Sequence, residues 1–254
     1  MSPILAVASN TFRQTVRDRI FFNVLFFGLG MTFLAIIVAQ LSFGYPDRIV
    51  RSIGLSGVSL ALDLIALLLG VGLIHQEIDR KTLFVVLTRP IRRWQYVFGR
   101  YLGLVGTLSL ALIGFSVVFA LALKWSGGTA SASDVAALAM ALPEASVIAG
   151  IGVVISCFST PGVGTGMGLG IWLAAATTDD LVRLTTRSNE LTRLVAKGVY
   201  YVLPSLERFD FRESAVYGQA IAMPDLLLTA SYGAMYSLAL ALLASLVLSR
   251  RQMV

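Results

Sequence analysis

The chain has 254 residues, of which 57% are hydrophobic and only 13% charged. With a mean hydropathy of +0.82 it lies far from soluble domains, where about a quarter of residues are charged, so a soluble fold is excluded. The formal charge of +6 then reports orientation in a bilayer rather than affinity for nucleic acid, because Lys and Arg gather near span ends. A single cysteine, Cys157, and a single histidine, His75, exclude an intramolecular disulfide, a multi-cysteine metal site and a His-rich site.

Residues 1–20 place Ile4, Ala8, Phe12, Val16 and Ile20 four apart on one helical face, with Arg13, Arg17 and Arg19 mostly elsewhere. This predicts an amphipathic helix lying in the membrane interface, or else a plain basic flank that sets topology. It is not a cleavable signal, since Pro3–Ile20 precede the first apolar run. A hydrocarbon core about 30 Å thick needs roughly 20 apolar helical residues. The segments Phe21–Leu41, Ile53–Ile74, Tyr101–Leu123, Val135–Phe158, Thr160–Thr178 and Leu226–Ser249 meet that length within a few residues. Runs this apolar must be helical, since lipid cannot pair their backbone groups. The expected fold is an all-α integral membrane protein. It has an N-terminal interfacial amphipathic helix (1–20) and a six-span transmembrane domain (21–254), with an outer helical or re-entrant region (179–225) before the last span.

Asp63 sits in the middle of the second span. A carboxylate there costs about 2.5–3.5 kcal/mol on insertion scales, so it faces a pathway, a subunit interface or a neighbouring helix to which it hydrogen-bonds. Next comes His75–Arg100, a basic segment between two spans. Glu77 and Lys81 form a favourable i,i+4 pair, Leu83, Phe84 and Leu87 supply an apolar contact face, and Arg89–Pro90 breaks the helix. Arg92, Arg93 and Trp94 then restart a helix toward the third span. A plain topogenic loop needs neither the hydrophobes nor the double turn, so the segment predicts a docking elbow for a partner. Asp79, Arg80 and Thr82 belong to the same surface.

In the fourth span Pro143 precedes Glu144. Proline frees the carbonyl four residues back, so a kinked or broken helix beside a carboxylate is expected. This is either a gate or the end of a short outer half, Val135–Leu142, with Glu144 near the surface. In the fifth, PGVGTGMGLG lacks the Gly-Lys-Ser/Thr ending of a phosphate loop. Gly162, Gly166 and Gly170 instead recur at the period that lets helix backbones approach closely. In 179–225, Leu181, Leu184, Leu191, Leu194 and Val195 suggest an amphipathic helix. LVAKGVYYVLP, ended by Pro204, is too short to span and predicts a re-entrant or interfacial element.

With the N-terminus inside, Arg13, Arg17, Arg19, Arg80, Lys81, Arg89, Arg92, Arg93, Arg100, Arg250 and Arg251 are cytoplasmic. Arg48, Arg51, Lys124 and the basic residues of 179–225 are outside. The margin is narrow, and the short loops and both tails decide for cytoplasmic termini.

The segment Ile74–Gly103 resembles that of ABC transporter permeases of the type-two (ABC-2) superfamily, in particular the short bacterial six-span subunits. The resemblance lies in Glu77, Arg80-Lys81-Thr82, the apolar Leu83–Leu87, Arg89-Pro90, Arg92-Arg93-Trp94 and Gly99-Arg100-Tyr101-Leu102-Gly103. This chain has Lys81 where the family usually has Gly before the threonine. The resemblance implies a permease in the bacterial inner membrane, dimeric with an identical or related chain and served by two separate ABC ATPase subunits that bind Mg-ATP. Glu77–Leu87 would be the coupling element, helped by the N-terminal helix and the turn at Cys157–Pro161, and the substrate would be exported. The permease itself would bind no cofactor or metal and would not be an enzyme. The competing expectation is a mechanotransmission scaffold that passes force to a periplasmic protein. A membrane enzyme is the weakest, for want of paired catalytic groups.

Overall fold

The computed structural model describes residues 2–41, 44–79, 92–178 and 203–250, with backbone alone for 76–79. Helix α1 (Pro3–Val16) opens with proline at its first position, where the missing N–H costs nothing. It ends just before Asp18, whose side chain accepts the Ile20 N–H at 2.9 Å and caps α2 (Arg19–Gln40). Helix α3 (Pro46–Asp79) is 34 residues long and α4 (Arg93–Trp125) is 33, each extending well past the apolar run that predicts it. Then follow α5 (Ala132–Ser156) and α6 (Pro161–Ala176). A 3-10 turn (Leu206–Phe209) leads to the short α7 (Arg212–Val216), and α8 (Met223–Arg250) closes the chain.

Among the described residues every regular element is helical, and five helices are long and apolar enough to cross a membrane: α2, α3, α4, α5 and α8. The expected six spans become five by this measure. Helix α6 has 16 residues, about 24 Å at 1.5 Å per residue, because its apolar run stops at Thr177 before Asp179 and Asp180.

Helix α3 is the axis of the bundle. Its apolar window is 78% buried, against 22% for α2, and Ala61, Leu62, Ile65 and Ala66 are fully enclosed. Helix α5 runs parallel to it, and at Gly70 and Gly152 the two backbones touch. A Cβ on Gly70 would lie 3.0 Å from the Ala149 carbonyl oxygen and 3.2 Å from the Gly152 Cα. Lower down, the Ile74 and His75 N–H groups donate to Ser156 Oγ at 2.8 and 3.0 Å. Small residues admit close backbones, and the large apolar side chains turn outward to lipid: Phe26, Phe33, Ile113, Leu121, Leu228 and Leu246 are all exposed.

Helix α1 lies along α4. Gly99 and Gly103 admit it, since a Cβ at either would meet Val7 Cβ at 2.7 Å or the Ala8 carbonyl oxygen at 2.6 Å. The contact centres on Thr11 and Thr15, both buried, and the Thr15 and Thr107 hydroxyls are hydrogen-bonded. The predicted apolar face is therefore offset: Ile4, Ala8, Phe12 and Val16 flank the contact, half-buried, while Arg13 and Arg17 stay exposed.

Candidate functional site

Four polar residues of α3, Ser52, Ser56, Ser59 and Asp63, are spaced four, three and four apart, so they share one helix face. The outer two are exposed, whereas Ser59 and Asp63 are buried at 6% and 5% exposure. The face is thus a polar stripe running from the surface into the bundle. Opposite it, α5 presents Glu144, itself buried, and Ser59 Oγ donates to Glu144 Oε2 at 3.2 Å. From α6, Trp172 Nε1 donates to Asp63 Oδ2 at 3.3 Å. Asp63 Oδ1 is buried with no hydrogen-bond partner. The two carboxylates lie within electrostatic range of each other.

Helix α5 runs unbroken through Pro143, so the expected break does not occur, and Ser146 Oγ donates to the Pro143 carbonyl at 2.7 Å. Glu144 is a buried group rather than a surface one. Phe209, from the 3-10 turn, packs over this region: a Cβ on Gly233 of α8 would lie 3.0 Å from both Phe209 and Pro143. That turn positions Asp210 and Arg212. Arg212 Nε and Nη2 donate to the two Asp210 oxygens at 2.7 and 2.6 Å, and its backbone N–H donates to Asp210 Oδ1 at 3.0 Å. Burial pushes the Asp210 carboxyl up, but the hydrogen bonds and charge of Arg212 outweigh it and hold it below the usual range. Burial likewise opposes the Arg212 charge, and Asp210, with Glu144 and Asp63 farther away, raises its affinity for the proton instead. Ser52, Ser56, Asp210, Arg212, Glu213, Val216 and Tyr217 line a cleft of about 370 Å³ at the outer end of the serine stripe.

A buried carboxylate pair inside an apolar bundle is costly, and such ionisable groups within spans are candidates for a functional site. The family model of the ABC-2 family transporter protein matches residues 5–249. The chain belongs to this family. It is a multi-pass membrane permease component of an ABC transporter. No curated protein matches it.

At the opposite end, the expected coupling segment of this ABC-2 permease continues from α3, whose last turn contains Glu77 and Asp79. Arg80, Lys81, Thr82, Leu83, Phe84 and Leu87 lie outside the described residues, as do Arg89 and Pro90. Arg92 precedes the first turn of α4, its N–H donating to Gln95 Oε1 at 3.1 Å. Arg93 reaches across to α8 and donates to the Leu248 and Ser249 carbonyl oxygens, both at 3.1 Å. A guanidinium there pairs the last free carbonyls of a helix and complements its dipole. Arg100, 2% exposed, donates to Tyr96 Oη at 3.1 Å and to Gln14 Oε1 of α1 at 3.0 Å. The sequence marked Arg100 as a topology signal and as part of the family-like motif; in the fold it joins α1 to α4.

Among the described residues nothing lies within 4 Å of a Cβ on Gly162, Gly166 or Gly170, whereas a Cβ on Gly164 or Gly168 would lie 2.7 Å from Val71 or 2.6 Å from Leu67 of α3. The two sets sit two residues apart, about 200° around the helix, and periodicity alone does not say which set faces a partner. Ser59, Trp172, Asp210 and Arg212 were missed as well. The serine spacing on α3 was visible in the sequence, but the arrival of Arg212 beside it was not. The parts of 179–225 expected to form an amphipathic helix and most of the re-entrant element lie outside the described residues. Residues 203–216 pack against α3, α5 and α6.

Proposed function

We propose that this permease forms half of a dimer, of identical or related chains, driven by two separate ABC ATPase subunits that bind and hydrolyse Mg-ATP. The ATPases dock on the Glu77–Leu87 segment at the cytoplasmic face of a bacterial inner membrane, and the transporter works as an exporter with both termini of this chain inside. What supports the reading, beyond family membership, is the continuity of α3. One unbroken 34-residue helix leads from Asp79 to Pro46, past Asp63 and the serine stripe, so a push on its coupling end is carried to the buried carboxylates and the outer cleft. Helix α1, held to α4 through Thr15–Thr107 and Gln14–Arg100, moves with the same end. ATP-driven closure of the ATPase pair would displace α1 and α3 together and open a pathway at the permease dimer interface.

A mild-detergent pull-down of the chain from its own cells tests this. The expected result is a stoichiometric ATP-hydrolysing subunit that is lost when Glu77–Leu87 is disrupted. A purified permease with no nucleotide-hydrolysing partner would sink the reading. ATPase activity answering to a periplasmic protein and to no small molecule would favour the scaffold alternative.

A further inference from the structure

We propose that Asp63 and Glu144 form a binding site for a small monovalent cation, a proton or an alkali ion, reached from the outer cleft along the serine face of α3. The proposal deepens the transport reading by assigning a ligand to the buried pair. Charge balance motivates it first. The only cation in electrostatic range of the pair, among the described residues, is Arg212, and Asp210 already engages Arg212 through two side-chain hydrogen bonds. Two carboxylates inside the spans therefore lack a committed counter-charge, an arrangement that buried ions do not sustain without a partner.

The unpaired oxygen is the second and independent observation. Asp63 Oδ1 is buried and accepts no hydrogen bond, although its sister oxygen takes the Trp172 indole. Native proteins rarely leave such an atom unmatched unless a small ligand completes it. Glu144, in electrostatic range of it, and the Ser59 hydroxyl that bonds Glu144 add further oxygens, the chemistry that suits hard cations.

Access and size come from the stripe. Ser52 and Ser56 line the cleft, and Ser59 and Asp63 continue the same face inward. With Asp210 paired to Arg212, Glu213 is left as the uncompensated charge in the cleft lining and favours positive charge at its mouth. Its lining ends at Ser56, and Ser59 and Asp63 beyond it are buried, a route that favours a small ion over a bulky one. Among the described residues, the charged groups in electrostatic range of the pair are Asp210 and Arg212 from the connecting segment, and its hydrogen-bond donors are Trp172 of α6 and Ser59 of α3.

Infrared difference spectroscopy on the full chain in lipid nanodiscs tests the site. A proton on the pair gives a carboxylic-acid carbonyl band that alkali removes, that is lost in D63N and in E144Q, and that D210N retains. Replacing choline chloride by sodium chloride at fixed pH and ionic strength abolishes the band if an alkali ion takes the site, and leaves it unchanged if the proton alone does. S56A removes one step of the path but no ligand, and slows the band's response to a pH jump severalfold without changing its size. Absence of both an acid band and a sodium response overturns the proposal, as does a band that persists in D63N and E144Q. Should those variants fail to fold, an unchanged response rate in S56A overturns the route. None of these readouts needs an ATPase, so a failed pull-down would remove the proposed function and leave this result standing.

Discussion

Helices α2 and α3 have the same mean hydropathy over their spans, 2.3, yet 22% of one and 78% of the other is buried within the protein. Helix α2 lays a narrow face of Phe21, Val24, Gly28, Thr32, Ala35 and Ala39 on the bundle and gives its other phenylalanines, Phe22, Phe26, Phe27 and Phe33, to lipid. Helix α3 is wrapped on nearly every side and carries the serine stripe and Asp63. Lipid and protein interior are equally apolar, so hydropathy cannot tell them apart. What separates the two helices is the placement of polar and small residues. Those of α2 define one seam, whereas those of α3 appear on several faces because several helices surround it.

Substitutions sharpen that contrast. The largest effect is expected for Gly152→Val, because the side chain would be driven into the α3 backbone, where a Cβ alone already lies 3.0 Å from the Val71 nitrogen. A loss of about 3 kcal/mol is expected from overpacking, whereas Phe26→Leu on the lipid face of α2 should stay within about 0.5 kcal/mol. Reversible unfolding in mixed micelles measures both, and equal losses would break the distinction. Ser59→Ala comes next, removing the hydroxyl that serves Glu144; about 1 kcal/mol is expected for an interhelical hydrogen bond in a membrane.

A small effect also belongs to the Asp210–Arg212 pair, whose side chains are each 31% exposed and therefore screened. Because the Asp210 carboxyl is held below its ordinary value, its contribution is present above about pH 4. It is lost as pH falls through the lowered native value. Asp210→Asn should thus cost less than about 1 kcal/mol at neutral pH and flatten the acid limb of the stability curve. An unaltered acid limb would show that the pair does not stabilise the fold.

Much of the architecture was legible. The apolar runs predicted the five helices that are long enough to span, whereas the starts at Pro3, Asp18 and Pro161 come from the structure. The fifth predicted span, Thr160–Thr178, corresponds to a helix of 16 residues, Pro161–Ala176, below the roughly 20 that a bilayer core needs. Pro143 predicts a kink or a break, and the helix is not broken there: α5 is continuous, with Phe209 and Pro143 both against Gly233. Asp63 and Glu144 stood out singly as buried carboxylates, 81 residues apart in the chain.

The sequence by itself determined the solvent, the helical class and the register of polar groups along each helix, because these depend on local composition and on a fixed helical period. Only the tertiary structure decided that Asp63 and Glu144 share one site, that Arg212 reaches them already committed to Asp210, and that Gly164 and Gly168 rather than their neighbours meet α3. Those facts depend on how each helix is rotated and crossed against the next. That choice is made by the summed packing of many side chains from distant parts of the chain, and no local window contains it.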